Sequence, residues 1–188
     1  NLMKIGILRE GKIPPDKRVV LSPNQCAQFI QQYPNIDLVV QPSPIRCFSD
    51  DEYLSIGINM QEDLSDCDII MGVKEVPIED LIAEKTYLYF SHTIKEQHYN
   101  RELLEKMLKL NIRMVDYEVL TDHNGKRLIG FGRYAGIVGC YNGFLAFGRR
   151  SGIFDLKPAY LCKDRKEMQL ELKKINLPKL KIIITGAG

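Results

Sequence analysis

The sequence predicts an α/β fold: a doubly wound, mostly parallel sheet with helices on both faces, followed by a long helix and one last strand. Three observations lead there. Short apolar runs alternate with helix-period stretches from Lys4 to Val115, which is the pattern of strands joined by helical crossovers. Several runs, such as Asp68-Ile69-Ile70-Met71, are continuously apolar, as strands covered on both faces must be. After Asp116 the alternation stops and an unbroken helical pattern spans Arg133 to Arg150.

Taken in order, Lys4 to Leu8 reads as the first strand, and Arg9 to Arg18 as a polar loop with Gly11, Pro14 and Pro15. Ser22 then caps a helix with Pro23 at its first position, running to about Tyr33. Asp37 to Val40 is a second strand, and Asp50-Asp51-Glu52 opens a short helix that stops near Gly57. Asp68 to Met71 and Thr86 to Phe90 are strands separated by a helical stretch over Ile78 to Glu84. From Tyr99 to Leu110, apolar residues at Leu103, Leu104, Met107, Leu108 and Leu110 draw one helix face. Ile112 to Val115 is a further strand. Val119 to Ile129 reads as a β-hairpin around Asn124-Gly125. The helix from Arg133 contains Gly136, Gly139, Gly143 and Gly148. Each weakens it by roughly 1 kcal/mol relative to alanine, which points to close approach of another backbone or a ligand. Gly152 to Tyr160 is a linker, and Arg165 to Ile175 a charged amphipathic helix.

Composition narrows the function classes. A chain of 188 residues that is 45% hydrophobic and 27% charged is an ordinary globular one. A net charge of +2 gives no electrostatic case for nucleic acid or an anionic membrane, and no apolar run approaches the ~20 residues of a membrane span. Cys26, Cys47, Cys67, Cys140 and Cys162 are odd in number and widely spaced. That usage suits a reducing compartment, read here as the cytoplasm, and argues against disulfides and a metal site.

The chain ends on Lys181-Ile182-Ile183-Ile184-Thr185-Gly186-Ala187-Gly188. A strand entering Gly-x-Gly is the first half of a dinucleotide fingerprint, in which a pyrophosphate sits on a helix N-terminus. Gly186 and Gly188 are therefore the candidate cofactor-binding residues, and the expected organisation has three parts. Residues 1–132 form an α/β domain that binds substrate, 133–179 an inter-domain helix and linker, and 180–188 the start of a truncated Rossmann domain.

Candidate site residues cluster at strand ends. Lys74 follows the Ile69 strand and precedes Pro77, while His92 follows the Thr86 strand. In an open α/β sheet that edge is where ligands bind. A lysine and a histidine there supply two groups whose proton affinity can be moved toward neutrality. Each has an ordinary alternative, a solvated lysine and a structural histidine. Arg18 reads either as a solvated charge or as a two-pronged carboxylate clamp. Glu75 and Glu118 also stand at strand ends, where either could tune a neighbouring cation. Arg127, in the hairpin, could hold a second carboxylate.

Together these residues resemble the alanine dehydrogenase/transhydrogenase N-terminal family, in its saccharopine-forming branch. That branch comprises the lysine-forming saccharopine dehydrogenases and lysine–ketoglutarate reductases. The resemblance is carried by Ile7-Leu8-Arg9-Glu10 with Arg18 and Ser22-Pro23, Gly72-Val73-Lys74, Phe90-Ser91-His92-Thr93-Ile94-Lys95 and Asp116-Tyr117-Glu118. It continues through Gly125 to Arg127, Phe131-Gly132 with Ala135-Gly136, and Thr185-Gly186-Ala187-Gly188, and is poor from about Gly152 to Lys179. It implies reversible conversion of L-lysine, 2-oxoglutarate and NADH or NADPH into saccharopine, with most of the NAD or NADP site outside this chain. It further implies acid and base roles for Lys74 and His92, tuning of both by Glu75 and Glu118, and substrate carboxylates on Arg18 and Arg127. An alanine dehydrogenase or transhydrogenase-like subunit is the alternative within enzymes. A non-catalytic ligand-binding module of the same fold is the alternative outside them.

Overall fold

The computed structural model describes residues 2–185. The chain divides into two compact units, residues 1–129 and 130–188. In the first unit six strands form one sheet in the order β3-β2-β1-β4-β5-β6. They are β1 (Met3–Ile7), β2 (Ile36–Val40), β3 (Asn59–Met60), β4 (Ile69–Met71), β5 (Thr86–Tyr89) and β6 (Arg113–Asp116). Every pairing in it is parallel, so the sheet is wholly rather than mostly parallel. β1 lies at the centre, with Ile7 beside Val40 on one side and Ile5 beside Ile69 on the other. The strand order reverses between β1 and β4. Parallel strands put all their carboxyl ends on one edge, and the crevice at such a reversal is where ligands of open sheets bind.

Both faces are covered, as the apolar runs require. On one, Ile5, Ile7, Leu38 and Val40 pack with Cys26 of α1 (Pro23–Gln32) and Tyr53 of α2 (Asp50–Leu54). On the other, Val39, Ile70, Tyr87 and Tyr89 pack with Leu103 and Met107 of α3 (Arg101–Lys109). Side chains alternate across a strand, so neighbours such as Leu38 and Val39 enter opposite cores. Ser22 and Ser49 start α1 and α2 with capping boxes, each accepting from a backbone N–H while Gln25 or Glu52 reaches back to the cap's own N–H. Tyr53 is fully buried, and its hydroxyl donates to the Leu21 carbonyl at 2.8 Å.

Several sequence expectations need correction. The helix expected over Ile78 to Glu84 is one 3₁₀ turn, Ile78–Asp80, after which Leu81 is extended. Leu81 serves the core instead. β3 was not expected: its two residues pair with the end of β2 and carry too little pattern to be read. The hairpin over 119–129 is present but short: Thr121 bridges Arg127 antiparallel, flanked by backbone bonds from the Asp122 N–H to the Lys126 carbonyl and from the Leu128 N–H to the Leu120 carbonyl, each 2.9 Å. Asp122 closes a wider loop, its carboxylate accepting from the backbone of Asn124 and Lys126 at 2.9 Å each.

The second unit holds α4 (Gly132–Ser151) and α5 (Arg165–Lys173), which meet through Tyr141, Leu156 and Met168. Of the glycines expected to mark close approach, only Gly148 does so. A Cβ there would strike the ring and carbonyl of Phe154, whereas Gly136, Gly139 and Gly143 face open space among the described residues. Residues 181–185 form no strand, since they find no backbone partner among the described residues, and Ile183 and Ile184 are exposed. Gly186 and Gly188 lie outside the described residues. No helix among the described residues is long and apolar enough to cross a membrane.

Candidate active site

Of the loops that leave the carboxyl edge of the sheet, those after β1, β4, β5 and β6 bring the candidate charged groups. The β4 loop carries Lys74 and Glu75, and the β5 loop carries His92. The two loops are joined at Glu75, whose Oε1 lies 2.6 Å from His92 Nδ1. The β1 loop adds Lys12, whose Nζ donates to Glu75 Oε2 at 2.7 Å. A row Lys12–Glu75–His92 therefore spans three crossovers, with Lys74 next in the chain. Only 17% of the His92 side chain and 11% of the Glu75 side chain are exposed.

The Glu75 carboxyl is acted on in two directions. Burial pushes it up, but the bonds from Lys12, its own backbone N–H and His92 together outweigh burial and hold it below its ordinary 4.5. It is therefore ionised near neutrality and accepts from His92, which puts the ring proton on Nδ1. Nε2 is then the nitrogen left for chemistry. Phe90 stacks on the imidazole with centroids 6.3 Å apart, fixing its plane further.

The depressed carboxyl has a consequence for stability. A group whose folded value is lowered contributes stability that is present above its unfolded value and lost as pH falls through the folded one. Melting of wild type and Glu75→Gln between about pH 3 and pH 7 reads this out. The wild type is expected to lose more stability on acidification below 4.5 than the variant does. Parallel curves would show that the Glu75 bonds contribute nothing to folding.

His92 sits at φ 56°, ψ 10°, the left-handed region that a β-carbon disfavours. The turn is held by its neighbours. Ser91 is fully buried; its Oγ donates to Asp116 Oδ2 at 2.5 Å and itself accepts from the Thr93 backbone at 3.2 Å. Asp116 ends β6 and its other oxygen accepts from the Glu118 backbone at 2.8 Å. The His92 carbonyl accepts from Asn100 Nδ2 at 3.3 Å.

Lys74 is half-buried, and its Nζ meets no hydrogen-bond or ion-pair partner among the described residues. Its charge nonetheless reaches Asp16. Burial pushes the Asp16 carboxyl up, but bonds from Arg18 and the charges of Arg18 and Lys74 bring it below the usual range. Arg18 is held by Asp16, its Nε lying 2.9 and 3.1 Å from the two carboxylate oxygens. The Arg18 guanidinium is thus held in a fixed orientation by a side chain of its own loop. Glu118 stands with Lys95 and Arg127, 3.1 and 3.7 Å from its Oε1, rather than bonding Lys74 or His92. Its Oε2 is buried without a hydrogen-bond partner among the described residues.

Sequence reasoning passed over Glu10, Lys12, Asp16 and Asp116 as site residues. Glu10 follows β1 as Lys74 follows β4, and that strand-end position was the available signal. A cavity of about 310 Å³ on the same edge is lined by Arg9, Glu10, Gly11, Gln41, Glu62 and Pro77, among others, but not by Lys74 or His92. The polar row, rather than the cavity, is the arrangement suited to moving protons.

Comparison with known proteins shows the family of the chain. Residues 6–138 match the family model described as alanine dehydrogenase/PNT, N-terminal domain. The chain is similar to the mitochondrial alpha-aminoadipic semialdehyde synthase of Mus musculus, 36% identical over 202 residues, covering 98% of this chain and 22% of that one. It is similar also to the saccharopine dehydrogenase [NAD(+), L-lysine-forming] of Candida glabrata, 30% identical over 202 residues, covering 96% and 52%. It spans well under two thirds of either relative. Among solved structures, an L-alanine dehydrogenase superposes with a TM-score of 0.61 at 19% identity, covering 82% of this chain and 44% of that one. That last likeness concerns the fold alone.

Proposed function

Because this chain belongs to the alanine dehydrogenase/PNT N-terminal domain family, we propose that it is the substrate-binding part of a saccharopine-forming oxidoreductase. The full-length enzyme joins L-lysine to 2-oxoglutarate and reduces the product, or runs the reverse. The observation that carries the reading is the Lys12–Glu75–His92 row beside Lys74 on the edge where the strand order reverses.

The lysine substrate's ε-amine attacks the ketone, a carbon–nitrogen bond forms, and the oxygen leaves as water to give an imine. Attack needs the amine neutral, so a base must hold its proton, and departure of the oxygen needs an acid. Lys74 and His92 divide these duties. The Glu75 carboxylate orients the imidazole through Nδ1 and is itself held by Lys12. Arg18 and Arg127 are assigned to substrate carboxylates, with Asp16 and Glu118 holding them until substrate arrives. NADH or NADPH supplies the hydride when bound. Its pyrophosphate is assigned to Gly186, Gly188 and polypeptide beyond the substrate-binding unit, and the steps above are those of this chain's own residues.

Incubation of the full-length enzyme with lysine, 2-oxoglutarate and reduced nicotinamide nucleotide tests the reading. Nucleotide oxidation is expected to require both substrates and to yield saccharopine by mass spectrometry. Oxidation with pyruvate and ammonia, and none with lysine and 2-oxoglutarate, would move the chain to alanine dehydrogenase chemistry.

A further inference from the structure

Lys74 raises a question of placement. Its ammonium has no hydrogen-bond or ion-pair partner among the described residues, so no such bond aims it. A long, rotatable lysine then inherits its direction from its own backbone. That backbone is gripped from another strand. Glu10, at the end of β1, accepts from the Val73 N–H on Oε1 at 2.7 Å and from the Lys74 N–H on Oε2 at 2.8 Å. Its residue exposure is only 8%. The chain just before this grip is packed as well. A Cβ on Gly72 would lie 3.2 Å from three Leu8 side-chain carbons, so the β4 loop is pressed against the end of β1.

A buried carboxylate is an expensive device for holding a loop, because its charge must be taken out of water. Neutral alternatives hold one N–H well but not two. A glutamine offers one oxygen, and its NH₂ would then face the second N–H. Two adjacent parallel N–H groups are matched by the two oxygens of an ionised carboxylate. The requirement for both bonds is a requirement for a fixed peptide orientation at Lys74.

We propose that Glu10 is a positioning residue that aims Lys74 by holding the Val73 and Lys74 N–H groups with its two carboxylate oxygens. The inference rests on the reading of Lys74 as one of the acid–base pair. Glu10 touches no substrate and takes no proton in it. Its contribution is the geometry in which the ammonium meets the reacting atoms, where small displacements have large effects on rate.

The test is a double-mutant cycle on the full-length enzyme, with kcat, KM and Tm measured for wild type, Glu10→Gln, Lys74→Met and the pair. Glu10→Gln is expected to lower kcat by roughly 10- to 100-fold with little change in KM. In the Lys74→Met background the same substitution is expected to lower kcat no further, because residues acting through one another are not additive. A merely structural role would cut the rate by the same factor in both backgrounds, and that result overturns the inference. Wild-type kcat in Glu10→Gln overturns it too. Full activity in Lys74→Met removes the acid–base reading, and this inference with it, whatever Glu10 does. Should Glu10→Gln fail to fold, Glu10→Asp keeps the charge and both oxygens on a shorter arm. It is expected to fold and to show the same non-additive loss, and an additive loss there counts against the inference equally.

Discussion

Replacing Lys74 by methionine is expected to lower kcat of the full-length enzyme by roughly 10²–10⁴, the usual contribution of a general acid or base. Methionine keeps most of the stem and loses the ammonium. Nothing among the described residues is bonded to that ammonium, so no buried partner is orphaned by the change. The bonds from Glu10 reach the Lys74 and Val73 backbones and survive any side chain. Stability should therefore stay within about 0.5 kcal/mol of wild type, as for a substitution that breaks no hydrogen bond or ion pair. Steady-state kinetics with lysine and 2-oxoglutarate reads out the loss. Full activity would return Lys74 to the solvated surface. A fall in rate matched by a fall in Tm would make it structural.

His92→Gln is the second large effect, again roughly 10²–10⁴ in kcat. Here the fold is less indifferent. Glu75 loses one of its two partners and keeps Lys12, so the carboxylate stays paired. The backbone at φ 56° disfavours any residue with a β-carbon, so glutamine brings no relief. Asparagine enters that region more readily, which makes His92→Asn the control. If the imidazole is needed for proton transfer, both variants lose rate alike although their melting temperatures differ. Activity that follows melting temperature from one variant to the other would assign His92 to the turn rather than to the chemistry.

Much of this fold could be read from the chain because its signals are local. Ser22-Pro23 announces α1, and the strands are short apolar runs whose neighbours change character within a residue or two. Position at a strand end sufficed to pick out Lys74 and His92, since parallel strands send every such residue to one edge. What could not be read is contact across long separations. Glu10 meets Val73 and Lys74, and Lys12 meets Glu75, over more than 60 positions of chain. Nothing in the local composition of the β1 loop marks one of its charges as a partner of the β4 loop. Glu118 illustrates the converse. Its strand-end position was legible, yet its partners proved to be Lys95 and Arg127 because the turn after Asp116 aims it there. The helix expected at Ile78 to Glu84 failed for a tertiary reason, Leu81 being drawn into the core.

The central place of β1 bears on how the site comes into being. Its pairing with β4 brings Ile5 beside Ile69, and no sheet joining the two halves exists before that closure. Closing a long loop carries an entropic cost that is recovered only once the strands pair and bury their faces. The loop holding Glu10 and Lys12 leaves β1, and the loop holding Lys74 and Glu75 leaves β4, so one folding event sets both. The β4 and β5 loops bring Lys74, Glu75 and His92 together within one short stretch, and the β1 loop then adds Glu10 and Lys12. A nascent chain emerging from synthesis gains the row of charges only after the β4 segment has been made, and the imidazole later still. Local fraying that separates β1 from β4 would strip Glu10 and Lys12 from Lys74 and Glu75, which makes proton-transfer competence a reporter on the middle of the sheet.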